Sequence, residues 1–217
     1  MNKTRLLHKL SIVMNKFFYF GYGSNMLAAR MHIRNPSARR IGVGKLKDYR
    51  LDFHYDGKDN SWNGAPATIV PMKGAQVFGT IWEVDQCHLK SLDEQEGVSY
   101  GIYAPINVTV DSLNDKRNIE CRVYHLCDQP KTDVHGLNCN EEASFCRLPS
   151  TTYLKVIVKG AEETGLPSEY IKWLKQIRHN DNHVHEMESK LELAEVKLAE
   201  AISKVSCDRL TFNSVKG

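Results

Sequence analysis

No stretch of this 217-residue chain approaches the roughly 18 successive apolar residues of a membrane-spanning helix, and its aromatic run Phe17 to Phe20 stops at a glycine. Acidic residues are missing before Asp48, where ten Lys or Arg stand. The apolar core of that basic segment, Leu10 to Met14, is too short for a secretory signal, and no small-residue cleavage site follows it. The expectation is a soluble, cytoplasmic protein with no membrane partner, a mitochondrial presequence or initiation at Met14 being the alternatives. Charge of one sign is also scarce. The net charge is +3 and the signs mix after Asp48, which argues against a nucleic-acid partner. Cys-x-x-Cys pairs are absent, so Cys87, Cys121, Cys127, Cys139, Cys146 and Cys207 read as reduced thiols. His125, Cys127, His135, Cys139 and Cys146 lack the spacing of a zinc site, and His183-Val184-His185 reads as a solvated linker. No metal is expected.

What is present suffices for one core, since 41% of the residues are hydrophobic. Strands are predicted at Phe17 to Phe20, Tyr49 to His54, Ala67 to Val70, Gln76 to Val84, Tyr103 to Val110 and Ile119 to Leu126, each with Gly, Pro, Asn or Asp near an end. Helices are predicted from Ser24 or Asn25 to Met31, Gln86 to Gln95, Thr152 to Thr164 and Ser168 to Ile177. Strands clustered before helices indicate an α+β fold with a five- or six-stranded sheet. From Glu186 the composition shifts to Glu, Lys, Leu and Ala, and Met187, Leu191, Ala194, Leu198 and Ala201 recur at spacings of four and three. That pattern predicts an amphipathic C-terminal helix, folded on the core or pairing with a partner. Its truncation is expected to spare catalysis. The division drawn is a basic extension over 1–16, a catalytic domain over 17–180, and a linker with helical tail over 181–217.

Two constellations could carry chemistry. Gly21-Tyr22-Gly23-Ser24-Asn25 follows a strand and opens a helix, an arrangement that presents backbone N–H groups to a carboxylate or an oxyanion, or simply makes a turn. It is not a phosphate loop, a dinucleotide fingerprint or a nucleophile elbow, because Met26 and Tyr22 stand where the required residues would be. In Leu89 to Gly97, a wheel of about 100° per residue puts Glu96 between Leu89 and Leu92, with Asp93 flanking and Glu94 turned away. Glu96 is then either a solvated helix-end acid or a general acid/base whose pKa is raised by burial, by the helix dipole and by Asp93. Gly97 supplies the residue that ends the helix.

The run Tyr19-Phe20-Gly21-Tyr22-Gly23-Ser24-Asn25, then His32-Ile33-Arg34-Asn35-Pro36-Ser37, then Ser91-Leu92-Asp93-Glu94-Gln95-Glu96-Gly97-Val98, closely resembles the γ-glutamylcyclotransferases of animals. The likeness continues through Tyr103, Tyr153, Gly160-Ala161 and Gly165-Leu166-Pro167, and so spans about residues 17–177. It implies a barrel-like cyclotransferase sheet with flanking helices, no cofactor, and often a homodimer. It implies Glu96 as the catalytic acid/base, and substrate contacts from Tyr19, Phe20, Gly21, Tyr22, Gly23, Ser24 and Tyr153. The activity implied is that of a lyase or acyltransferase releasing 5-oxoproline from γ-glutamyl-amino acids in glutathione metabolism. Rival readings are a cyclotransferase for γ-glutamylamines or glutathione, and a non-catalytic binding protein on the same fold. Residues 128–149 exceed the family's corresponding connection, and the tail lies outside its pattern.

Overall fold

The computed structural model describes residues 15–54, 60–131 and 146–199. Strand β1 (Lys16–Gly21) pairs antiparallel with β3 (Ala67–Asp85), placing Tyr19 opposite Trp82 and Phe20 opposite Ile81. Alternate strand residues face opposite sides. Phe20 and Ile81 accordingly join the main core, while Tyr19 and Trp82 join a second cluster with Met31, Val84, Leu92 and Tyr124. With both its faces covered, β1 reads as an unbroken aromatic run rather than an alternating one.

Strands β2 (Arg39–Phe53), β4 (Tyr103–Ser112) and β5 (Asn118–Leu126) complete a closed barrel in the order β1-β3-β2-β4-β5. Every neighbouring pair is antiparallel except the seam, where β1 runs parallel to β5 with Tyr19 opposite Arg122. The sheet is therefore mixed and five-stranded. The segments expected at Ala67 to Val70 and Gln76 to Val84 are two parts of β3, and β2 starts well before Tyr49. The first half of β2 is disguised by charge: Lys45 and Lys47 turn outward to Asp111 at 3.5 and 2.9 Å.

A single 3-10 turn at Ser24–Met26 and the short helix α1 (Ala28–Met31) follow β1, and α2 (Leu89–Gln95) follows β3. Helix α3 (Thr151–Thr164) packs Val156, Ile157 and Ala161 into the main core. Its Ser150 cap accepts the Tyr153 N–H at 3.1 Å, a contact worth about 1 kcal/mol. The chain entering this cap is pinned from two sides. Arg147 pairs with the fully buried Asp52 and donates from Nε to the Phe53 carbonyl at 2.5 Å, while Leu148 accepts the Ala65 N–H at 2.9 Å. Most of the 128–149 connection, with Cys139, lies outside the described residues, as does Cys207. Cys87, Cys121 and Cys127 are free thiols.

Helix α4 (Ser168–Lys175) precedes α5 (His185–Lys190), and here the expected continuous tail helix is corrected. Helix α5 ends at Lys190, and Glu192 takes a left-handed φ of 52°. Lys159 donates to the carbonyls of Leu191 at 2.8 Å and Glu192 at 3.0 Å, taking up the helix's terminal acceptors. Leu191 and Leu193 are both buried in the main core, and residues two apart do not share a helix face. Ala201 lies outside the described residues.

Candidate active site

Helix α2 ends as the sequence pattern requires. The Glu96 N–H reaches the Leu92 carbonyl at 3.0 Å, and Gly97 takes a left-handed φ of 66° that an L side chain resists. Leu92 is buried, Glu94 is exposed beside Lys90 at 3.7 Å, and the Glu96 carboxyl turns inward. It forms part of a pocket lined by Tyr19, Tyr22, Gly23, Ser24, Asn25, Ala67, Tyr103, Tyr124 and Tyr153. Solvent still reaches the residue, but protein atoms surround the carboxyl, and burial raises its pKa above the ordinary value of 4.5. The charge of Arg30 and hydrogen bonds from Asn25 and Gln95 oppose that rise. Asp93 adds only slightly to it, since its carboxylate is held by Arg122 at 2.7 Å and by the Tyr124 hydroxyl.

Asn25 fixes the carboxyl in place. Its Nδ2 donates to Glu96 Oε1 at 2.7 Å and to the Tyr19 hydroxyl at 3.0 Å, and its Oδ1 accepts from Gln95 Nε2 at 2.9 Å. Asn35 donates to Gln95 Oε1 at 3.3 Å, extending the chain of amides behind the site. Trp82 Nε1 donates to the Asn25 carbonyl at 2.9 Å, so the barrel wall fixes the backbone as well. Helix α3 presses on the same turn from the other side. A Cβ on Gly160 would collide with the Leu27 nitrogen and lie 2.6 Å from the Met26 carbonyl carbon.

The phenols are held by their hydroxyls. Tyr22 donates to the Tyr124 carbonyl at 2.6 Å, Tyr103 donates to the Ala67 carbonyl at 2.7 Å, and the Tyr153 oxygen accepts the Ala67 N–H at 3.1 Å. Burial lifts the pKa of Tyr19, Tyr22, Tyr103 and Tyr124 well above 10, and that of Tyr153 to about 12. All five are neutral near pH 7, so Glu96 is the carboxyl that can exchange a proton inside this pocket.

Of the residues expected at the site, Glu96, Tyr19, Tyr22, Gly23, Ser24 and Tyr153 come together. Phe20 and Gly21 do not line the pocket. The Phe20 ring fills the barrel against Gly44 and Gly79, where an added Cβ would lie 2.9 Å from it, and Gly21 is still paired in the ladder opposite Thr80. Sequence reasoning missed Asn25, Ala67, Tyr103 and Tyr124 as lining residues. Asn25 had been placed only as a helix cap, and the other three are brought in by strand pairing, for which no local pattern exists. Among the described residues, no three His, Cys, Asp or Glu side chains converge as a metal-binding group.

A closed five-stranded barrel with flanking helices, enclosing one glutamate among phenols, is the γ-glutamyl cyclotransferase-like architecture. A solved structure described as γ-glutamyl cyclotransferase superposes on it with a TM-score of 0.70 and 38% identity, over 82% of this chain and 99% of that one. The γ-glutamylcyclotransferase of Bos taurus is 42% identical over 76% of this chain and 80% of its own length. That of Mus musculus is 40% identical over 84% and 92%. The model of the AIG2-like family matches residues 76–174. The chain belongs to the γ-glutamylcyclotransferase family.

Proposed function

We propose that the chain converts γ-glutamyl-amino acids to 5-oxoproline and the free amino acid, with Glu96 as the group that moves the protons. The observation that carries this reading is a carboxyl of raised pKa fixed by Asn25 within a partly enclosed, phenol-lined pocket. The substrate's own α-amine attacks the γ-carbonyl, and intramolecular closure of a five-membered ring needs no enzyme nucleophile. The amine enters protonated. Two protons leave its nitrogen as the ring forms, and two reach the departing nitrogen as the old C–N bond breaks, Glu96 accepting and returning them. Main-chain N–H groups of Tyr22 to Ser24 hold the glutamyl carboxylate, and Tyr153 donates to the oxygen of the tetrahedral intermediate. The enclosing phenols keep water from hydrolysing the amide.

No described helix is long and apolar enough to cross a membrane. A cytoplasmic location and a homodimer belong to the same proposal and rest on the family likeness. Incubation of the purified chain with γ-glutamyl-alanine, γ-glutamyl-lysine and glutathione, with 5-oxoproline measured for each, tests the activity. Release from γ-glutamyl-alanine is expected. Release from glutathione alone moves the chain to the glutathione-specific reading, and no release from any of the three favours a binding protein.

A further inference from the structure

A γ-glutamyl-amino acid carries two carboxylates, and the proposed function accounts for one. The glutamyl half has to enter the pocket to bring its amine to Glu96, which leaves the carboxylate of the departing amino acid at the rim. A cation stands behind one wall of the pocket. Arg30 extends from α1, half-buried, with its guanidinium carbon 5.9 Å from the centre of the Trp62 ring. Trp62 in turn packs tilted against Tyr153, a wall of the pocket, with ring centres 4.6 Å apart. The positive charge of Arg30 also favours the carboxylate form of Glu96.

Among the described residues, Arg30 has no acidic partner, unlike the arginines packed nearest the barrel. Arg39 is paired with Glu83, Arg40 with Glu163 and Arg122 with Asp93, at 2.7–3.1 Å. Its guanidinium is nonetheless held in place by partial burial and by the aromatic face of Trp62. Such a fork matches a carboxylate with two parallel N–H donors.

We propose that Arg30 binds the carboxylate of the leaving amino acid and thereby sets a preference for γ-glutamyl-amino acids over γ-glutamylamines. The assignment rests on the cyclotransferase reading and names a specificity-determining residue within it. In the proposed function Glu96, the loop and Tyr153 all serve the glutamyl half, so removing the outer carboxylate from the substrate, or Arg30 from the protein, would remove the same interaction.

The test compares γ-glutamyl-alanine with γ-glutamyl-alaninamide, which differ only in that carboxylate, for the unsubstituted chain, Arg30→Gln and Arg30→Lys. The unsubstituted chain is expected to favour the acid by about 10- to 100-fold in kcat/KM, mainly through KM, as a charge-assisted hydrogen bond would provide. Arg30→Gln brings the two substrates to within a few-fold of each other, and Arg30→Lys restores part of the gap. Any change that Arg30→Gln makes to Glu96 affects both substrates alike and cancels in the ratio. Equal losses on both substrates, or no preference in the unsubstituted chain, overturn the assignment while leaving the activity standing. If Arg30→Gln does not fold, the unsubstituted ratio and Arg30→Lys decide. Absence of 5-oxoproline from both compounds with the unsubstituted chain overturns the proposed function, and the assignment with it.

Discussion

Asn25 donates to Glu96 across 70 residues of intervening sequence, and at 2.7 Å this contact stabilises the carboxylate over the carboxylic acid. Asn25→Ala removes it and leaves Gln95 Nε2 only its longer contact to Glu96 Oε1 at 3.4 Å. A hydrogen bond to a charged group contributes about 1.5–3 kcal/mol, so kcat near neutrality should fall about 10-fold or more. The acidic limb of the pH–rate profile should move upward, because one of the groups that oppose the effect of burial is lost. An unmoved limb would assign Asn25 to shape alone.

Glu96→Gln preserves size and the Asn25 contact but abolishes proton transfer. Turnover should drop at least about a hundredfold, or roughly 2.7 kcal/mol, while substrate affinity survives. Glu94→Gln is the control, its carboxylate being exposed beside Lys90. A dead Glu94→Gln protein would show that the acid was assigned to the wrong carboxyl.

The same substitution has an opposite effect on stability. A glutamate whose folded pKa lies above 4.5 binds its proton more tightly in the folded chain, so its contribution to stability falls as pH rises through the window between the unfolded and folded values. Glu96→Gln should therefore raise the melting temperature relative to the unsubstituted chain at pH 7, and by less at pH 4. Urea unfolding at the two pH values measures the difference, and a destabilised Glu96→Gln protein at pH 7 contradicts it.

Gly160→Ala inserts a methyl group where α3 meets the turn that carries Asn25. Because the obstruction is backbone, it cannot be relieved by a side-chain rotation. Overpacking of this kind costs about 1–3 kcal/mol. Activity should fall further than stability does, since the displaced segment holds Ser24 to Met26. Denaturant midpoints and kcat measured on one preparation separate the two effects.

Truncation before Glu186 removes Leu191 and Leu193, buried at 4% and 0% exposure, and the Glu188 partner of Thr152 at 2.7 Å. Each leucine contributes about 1.5–3 kcal/mol by burial. The truncated chain should melt well below the full one. Equal melting temperatures by calorimetry would show that the tail's buried leucines contribute little.

The inward turn of Glu96 and the α+β class are legible because both are written locally, whereas closure into a barrel follows only from the family resemblance. The wheel over Leu89 to Gly97 separates Glu96 from Glu94, and β1 announces its doubly buried position by aromatic content. The rest of the pocket is not local. Tyr103 and Tyr124 lie on β4 and β5, and what brings them to Tyr22 and Ala67 is ladder register across the barrel. Nothing in the neighbourhood of Tyr124 distinguishes it from a core aromatic. The start of β2 was hidden by outward lysines. The tail periodicity misled because Leu191 and Leu193 satisfy the same core from a chain that has left the helix.

The seam between β1 and β5 also governs the order in which the protein assembles. Tyr19 meets Arg122 only after more than a hundred residues have been threaded between them, and closing so long a loop is slow compared with forming a helix or a hairpin. The β4–β5 hairpin and α3 are local structures that form early. The wall that joins Tyr19 to Tyr124 waits for the last closure, so on dilution from denaturant most of the helical signal should return ahead of catalytic competence.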